Sequence, residues 1–239
     1  MKILALESSG LVASVAVMED QKMIGEFTTN FKKTHSQTLL PMLDELIKTL
    51  DMELSDIDAI AVSKGPGSFT GLRIGSATAK GLGLALNKPL IPVPTVDALA
   101  YNLCGSAHLI CPMMDARRQQ VYTGLYAFEN GHFKVVLPQR AVPVEEIIDE
   151  INQRGRSVIF LGDGVPVYKT LIESSVQTEY QFAPAHLAYQ RAGALGALAQ
   201  IYYSEGKIES ASAHRPDYLR VSQAERELME KDHSYKPQA

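Results

Sequence analysis

The sequence predicts an α/β protein of two lobes, each with a mixed sheet flanked by helices. Short apolar runs separated by turn residues alternate with helical patterns in the order βββαβαβ, which is typical of mixed sheets with parallel neighbours. The second half of the chain then repeats the βββαβ unit of the first half. Such a duplication within 239 residues fits two lobes of roughly 100 residues each.

The first half supplies the elements of the first lobe. Apolar runs at residues 2–7, 12–18 and 23–29 predict a three-stranded antiparallel meander. The apolar spacing over 36–50 predicts a helix, with a capping box formed by Thr34 and Gln37 at its start. A strand at 57–62, a helix at 69–86 and a strand at 90–93 follow.

The second half supplies strands at 109–114, 121–128 and 132–137, a helix at 144–154 and a strand at 158–161. We predict that a long helix over 186–203 closes the second lobe and that the tail from Pro216 packs on the first. The lobes then comprise residues 1–102, joined by 216–239, and residues 103–215. Two such ribonuclease-H-like lobes around a cleft are the architecture of the actin, sugar-kinase and Hsp70 superfamily.

Composition narrows the function classes. Apolar residues make up 46% and charged residues 21%, which is an ordinary globular balance. The net charge of -4 and the absence of a basic stripe disfavour tight binding of nucleic acid by this chain alone. The two cysteines fit neither a disulfide scaffold nor a metal site, and no run reaches about 18 apolar residues. We therefore expect a cytoplasmic protein without a membrane span.

Two turns that follow predicted strands are candidate anion or nucleotide contacts. Residues 7–10, Glu-Ser-Ser-Gly, offer backbone amides to an anion, although a plain hairpin turn uses the same residue types. Residues 65–68, Gly-Pro-Gly-Ser, lead into a helix whose N-terminus favours anions, or they form a rigid corner in which Ser68 caps that helix. The candidate contacts are Ser8, Ser9, Gly65, Gly67 and Ser68.

The helix at 69–86 carries small residues at spacings of four. Each glycine costs up to about 1 kcal/mol relative to alanine in a helix, so the pattern indicates close packing against a neighbour. That neighbour lies inside the lobe or in another subunit; the scarcity of charge favours an interface, as Arg73 and Lys80 are the only charged residues. The predicted partner interface comprises Leu39, Met42, Leu43, Leu46, Gly71, Leu72, Gly75, Ala79 and Leu82.

Motifs for hydrolytic chemistry are missing from the sequence. It contains neither His-Glu-x-x-His nor Gly-x-Ser-x-Gly, so a peptidase or esterase has no support, and we predict no catalytic residue and no metal site. An ATP-dependent phosphotransferase or ATPase of the sugar-kinase type is the alternative function. It needs a carboxylate for magnesium, and Glu7, Asp115 and Asp163 are the candidates.

Four segments resemble the TsaB (YeaZ) family. They are residues 2–9, 35–42, 65–75 and 114–118, with Gly-Pro-Gly-Ser-Phe-Thr-Gly-Leu-Arg-Ile-Gly at 65–75 the most specific, and residues 222–226 are similar as well. The resemblance implies a non-catalytic, dimerising and activating subunit in the formation of N6-threonylcarbamoyladenosine in tRNAs that read codons beginning with A.

The resemblance also implies partners and cofactors. The chain is expected to bind the catalytic paralogue TsaD and, with it, the ATPase TsaE, to form a homodimer when alone, and to meet tRNA only through the complex. ATP or ADP and a metal are expected in the partner subunits and no cofactor in this chain alone. The His-x-x-x-His metal motif of TsaD aligns with Thr95 and Leu99 here, neither of which binds iron or zinc well. The helices at 36–50 and 69–86 are expected to contact the partner.

Overall fold

Two five-stranded sheets organise the chain in this computed structural model, which describes residues 1–31 and 34–219. The first sheet has the order β3-β2-β1-β4-β5, with β1 antiparallel to β2 and parallel to β4. The second has the order β10-β9-β6-β7-β8. The strands are β1 Lys2–Glu7, β2 Ala13–Glu19, β3 Lys22–Thr29, β4 Ala59–Gly65, β5 Leu90–Pro94, β6 Leu109–Asp115, β7 Gln120–Glu129, β8 His132–Pro143, β9 Val158–Leu161 and β10 Tyr180–Phe182.

The duplicated plan of two mixed sheets flanked by helices is confirmed. The helices are α1 His35–Thr49, α2 Phe69–Leu86, α3 Thr95–Tyr101, α4 Val144–Arg154, α5 Gly164–Ser175 and α6 Ala192–Ser204, with a short 3-10 turn at Leu54–Asp56. The capping box at the start of α1 is wrong, because the Thr34 side chain caps no backbone amide and lies 3.1 Å from the Ser36 hydroxyl.

Helices cover both faces of the first sheet. α1 and α2 pack on the face that presents Leu4, Leu6, Val15, Val17, Ile60 and Val62. α6 packs on the opposite face, against residues such as Ile3 and Ala5. The prediction that this last helix closes the second lobe is therefore wrong, and it begins at Ala192 rather than near residue 186. A helix that is apolar on most of its surface fits either sheet, and only long-range packing decides between them.

The segment after α6 runs back over the first lobe. Glu209 and Leu90 exchange two backbone hydrogen bonds of 2.9 Å, and the Lys80 ammonium donates to the carbonyl oxygen of His214. Asp217 donates its amide to Lys64, and the ring of Tyr218 lies 4.8 Å from that of Phe69. Residues 216–219 thus pack on the first lobe as predicted, whereas residues 220–239, which include the family-like segment 222–226, lie outside the described residues.

A buried carboxylate joins the two lobes. Asp97 lies on α3, which packs against the second sheet. Its carboxylate accepts hydrogen bonds from the Tyr126 hydroxyl on β7 at 2.7 Å and from the Tyr202 hydroxyl on α6 at 2.9 Å. Burial raises the pKa of Asp97, and the two tyrosine hydrogen bonds partly offset that effect. One side chain is therefore bonded to an element of each lobe.

None of the helices within residues 1–31 and 34–219 is both long enough and apolar enough to cross a bilayer.

Candidate functional site

A buried glutamate fixes the turn between β1 and β2. Glu7 is 0% exposed, and its carboxylate accepts hydrogen bonds from the Ser9 amide at 2.7 Å, the Ser9 hydroxyl at 2.5 Å and the Ser63 hydroxyl. Desolvation raises the pKa of Glu7, while the bonds from Ser63 and Ser9 and the nearby His35 oppose the rise. Because these protein donors surround it, Glu7 does not present its carboxylate to a magnesium ion in the cleft.

The glycines of α2 accommodate this same turn. A Cβ atom on Gly71 or Gly75 would lie closer than 3.0 Å to atoms of Ser8, and one on Gly67 would lie closer than 3.0 Å to the Ser9 carbonyl oxygen. The Ser8 hydroxyl also donates to the Gly71 carbonyl oxygen at 2.9 Å. The close neighbour inferred from the small residues is therefore the chain's own turn. For these glycines the neighbour lies inside the lobe and not in another subunit.

The predicted interface residues face inward for the most part. Leu39, Leu43, Leu46, Gly71, Leu72, Gly75 and Ala79 are buried, and the four leucines and Ala79 are 3% exposed or less. Met42 and Leu82 are half-buried. The apolar stripes of α1 and α2 thus build the core of the first lobe, which corrects the assignment of their side chains to the surface. A partner surface on these helices has to consist of their outward neighbours.

The outward face of α2 combines exposure with little charge. Leu84 is 62% exposed, Ala77, Gly81 and Ala85 are exposed, and Ile74 is partly exposed on the same helical face. Gly81 has no atom within 4 Å of the position of a Cβ, so its surroundings do not require glycine. These five residues, Ile74, Ala77, Gly81, Leu84 and Ala85, are called the α2 outer face below. Their spacing of three and four residues is visible in the sequence, but the predicted interface was placed on the neighbouring stripe of small residues.

The predicted anion contacts use their polar groups inside the protein. Ser68 accepts a hydrogen bond from the Gly71 amide at its hydroxyl and donates its own amide to the Ser9 carbonyl oxygen at 2.7 Å. Ser9 in turn donates to Glu7, as described above. The Gly65 carbonyl oxygen accepts a bond from Gln139, and its φ of 120° requires glycine. Both turns therefore have the geometry of rigid corners.

A cleft of about 700 Å³ separates the lobes beside these corners. The first lobe contributes Ser9, Gly10, Leu11, Gly67, Ser68, Phe69, Thr70 and Leu72. The second lobe and the tail contribute Met114, Asp115, Ala116, Arg117, Arg118, Tyr122, Asp163, Asp217, Tyr218 and Leu219. The cleft predicted from the duplicated fold is present, and its second-lobe wall is rich in charge.

Asp115 and Asp163, the two other candidate carboxylates, lie together in this wall. Asp163 accepts a hydrogen bond from the Asp115 amide at 3.3 Å, and desolvation raises the pKa of Asp163. Thr95 and Leu99, the positions aligned with a metal motif, are both fully buried on α3. In the part of the chain that the structure describes, no group of three or more His, Cys, Asp or Glu residues is placed to hold a metal ion.

Comparisons with known proteins decide the family. The family model described as TsaD, tRNA N6-adenosine threonylcarbamoyltransferase, matches residues 22–228. The tRNA threonylcarbamoyladenosine biosynthesis protein TsaB of Bacillus subtilis (strain 168) is 35% identical over 232 residues, which cover 96% of this chain and 99% of that protein. The chain belongs to the TsaB family. The Escherichia coli (strain K12) TsaB is 28% identical and spans 97% of this chain and 100% of its own length.

Solved structures agree with the TsaB family and with the superfamily fold. YeaZ from Pseudomonas aeruginosa superposes with a TM-score of 0.78 at 28% identity, covering 91% of this chain and 99% of its own. An inorganic polyphosphate/ATP-glucomannokinase from Arthrobacter sp. strain KM superposes with a TM-score of 0.51 at 10% identity over 86% of this chain and 99% of its own. The second similarity shows the fold alone, and it agrees with the predicted two-sheet architecture.

Replacement of Gly71 by alanine is predicted to destabilise the protein by about 1–3 kcal/mol, because the new Cβ overlaps the backbone of Ser8. The matched control is Gly81→Ala on the same helix, where the Cβ meets nothing and helix propensity improves by up to about 1 kcal/mol. Urea unfolding of both variants measures the difference. Equal stabilities for the two variants would show that the turn does not press on Gly71.

Replacement of Glu7 by glutamine is predicted to change how stability depends on pH. A carboxyl group with a raised pKa in the folded state binds more protons folded than unfolded, so its contribution is present at low pH. That contribution is lost as pH rises from the ordinary glutamate pKa through the raised pKa of Glu7. Urea unfolding at several pH values from about 4 upward should give a less negative slope for Glu7→Gln than for the wild type. Parallel slopes would contradict this assignment.

Proposed function

We propose that this chain is the non-catalytic, dimerising and activating subunit of the complex that forms N6-threonylcarbamoyladenosine in tRNAs reading codons that begin with A. It binds a TsaD-like catalytic paralogue and, together with it, a TsaE-like ATPase. It meets tRNA only within that complex, and the nucleotide and the metal belong to the partner subunits. Alone, it forms a homodimer through the surface that binds the TsaD-like partner. Membership in the TsaB family supports this assignment of the pathway.

The α2 outer face is the observation that supports a binding role. A helix on the surface of a monomer normally presents several charged residues to water, whereas the exposed residues of α2 include only one, Arg73, beside Ala77, Leu84 and Ala85. Leu40 of the neighbouring α1 adds another leucine that is 52% exposed. Exposed apolar faces of this kind mark protein interaction sites. A small residue such as Gly81 lets the backbone of a second helix approach closely, so a helix of the partner is the fitting occupant.

The buried glutamate supports a role other than phosphoryl transfer. A sugar-kinase type of reaction needs a carboxylate that reaches magnesium at the phosphates. The carboxylate oxygens of Glu7 instead accept hydrogen bonds from Ser9 and Ser63. The turn that carries it is held against α2 by contacts that leave no space for a side chain at Gly71. The first lobe therefore uses this turn to position α2, which is the helix assigned to the partner.

Substitution Gly81→Arg tests the proposal. Charge at Gly75 or Leu46, two buried residues of the predicted interface, would disrupt the core of the lobe and could not isolate an interface. At Gly81 the arginine has open space, so the monomer should fold with unchanged or higher stability. An unpaired charge buried against a partner costs about 3 kcal/mol or more, so association should weaken by roughly 100-fold or more.

Size-exclusion chromatography with light scattering measures association in two samples, one containing the chain and the TsaD-like partner and the other containing the chain alone. Gly81→Ala is the matched control at the same position and should retain the complex. Gln153→Arg adds the same charge to the exposed end of α4 in the second lobe and should also retain it. A folded Gly81→Arg protein that binds the partner as tightly as the wild type would refute the α2 outer face as the interface.

A further inference from the structure

The segment formed by residues 208–219 lies along one side of α2. Near the C-terminal end of the helix, a Cβ atom on Gly83 would lie 2.8 Å from the Cβ atom of Ala211. Near the N-terminal end, the ring of Phe69 lies 4.8 Å from that of Tyr218. The segment therefore runs antiparallel to the helix, and the boundary between α2 and residues 208–219 is called the α2 seam below.

Basic side chains are concentrated along the α2 seam. The Lys80 ammonium donates to the His214 carbonyl oxygen at 3.0 Å, and the Asp217 amide donates to the Lys64 carbonyl oxygen at 2.7 Å. These contacts bring the basic residues of the helix, of the strand before it and of the segment to one edge. They are Lys64, Arg73, Lys80 and Arg215. None of the four forms an ion pair with a residue that the structure describes.

The two acidic residues of the segment do not pair with these cations. Glu209 places Oε1 2.5 Å from Nδ1 of the buried His214. Asp217 lines the interlobe cleft. The α2 seam is therefore a positive edge on a chain whose net charge is -4. Such an edge attracts an acidic surface.

Arg73 is held in position in the free protein. Its guanidinium carbon lies 4.0 Å from the centroid of the Phe69 ring, which is a cation–π distance, and its Nε lies 3.4 Å from the Tyr218 hydroxyl oxygen. The terminal N–H groups of Arg73 have no acceptor within the described residues, so they can donate to both oxygens of one carboxylate. Because the side chain is already positioned, binding a carboxylate has a smaller entropy cost.

The α2 outer face continues directly to Arg73. Residues four apart lie on the same side of a helix, so Arg73, Ala77 and Gly81 follow one another along this face. Arg73 is the only exposed charged residue of α2. A partner helix that covers Ala77 and Leu84 therefore also reaches Arg73. Since a charge that becomes buried without a countercharge is strongly unfavourable, the partner has to supply a carboxylate opposite Arg73.

We propose that Arg73 forms a salt bridge with a carboxylate of the TsaD-like partner and thereby fixes the register of the partner helix on the α2 outer face. This inference rests on the proposed function, because it requires that partner to cover the face. A single ion pair beside an apolar contact specifies register, since a shift of one helical turn leaves both charges unpaired. Arginine and aromatic residues are also the types that dominate the binding energy of protein interfaces.

A protein carboxylate fits the α2 seam better than the phosphates of an RNA. The seam adjoins the exposed apolar side chains of Ala77 and Leu84, and protein interfaces combine arginine and aromatic residues with an apolar centre. Affinity for RNA depends on several free cations, whereas the ammonium of Lys80 is engaged by two backbone carbonyl oxygens. The seam is therefore assigned to the protein partner.

Surface plasmon resonance of the full chain with the TsaD-like partner tests the salt bridge. Arg73→Ala should weaken the affinity by about 10-fold, and Arg73→Glu should weaken it further because like charges then face each other. Arg73→Lys should recover only part of the affinity, since lysine forms no bidentate pair. Added salt should weaken binding of the wild type more than binding of Arg73→Ala. Arg156→Ala, which removes an exposed positive charge from the second lobe, should leave the affinity unchanged.

Thermal unfolding of each variant controls for folding, and the midpoints should stay close to that of the wild type because Arg73 is exposed. Unchanged partner affinity of Arg73→Ala and Arg73→Glu would overturn the inference. Weaker tRNA binding by the assembled complex, or weaker self-association, with unchanged partner affinity would also overturn it. If Gly81→Arg prevents association while both Arg73 variants retain it, the proposed function stands and only the salt bridge is refuted.

Discussion

The contact between the β1–β2 turn and α2 is the constraint on which the first lobe depends. The turn can approach the helix only because Gly71 and Gly75 have no side chains, and it keeps its shape because Glu7 holds Ser9 from within. A buried carboxylate is costly unless hydrogen bonds surround it, and here three donors do so. The direction of α2, and with it the residues that reach solvent, follows from this contact.

The two lobes share a plan but use equivalent turns differently. In the first lobe the turn after β1 is pressed against a helix and has its polar groups satisfied. In the second lobe the turn after β6 stands at the cleft and carries Arg117 and Arg118. The two lobes are therefore similar in fold, but the turn after β1 packs against a helix whereas the turn after β6 presents charged side chains. This division describes how a fold shared with a sugar kinase accommodates a first turn whose polar groups are bonded within its own lobe.

Local patterns predicted the elements well, and long-range packing was harder. The bounds of α2 and α4 agree with the sequence because Ser68 caps one and left-handed residues, Asn87 and Gly155, end the two helices. α3 was missed since six of its seven residues are buried and show no periodic polar face. The small residues of α2 correctly indicated a close neighbour, but spacing alone does not say whether a helix face points to the sheet, a turn or another chain. Three consecutive left-handed residues at 117–119 leave no signature in residue type.

The Asp97 carboxylate has a further consequence for how the molecule moves. Its hydrogen bonds to Tyr126 and Tyr202 connect α3 to elements on both lobes, and rotation of one lobe against the other would leave a buried charge without partners. The energetic penalty makes hinge opening unfavourable. Relative movement of the two lobes is therefore coupled to the position of α3, whose Asp97 side chain lies between a hydroxyl group of each lobe.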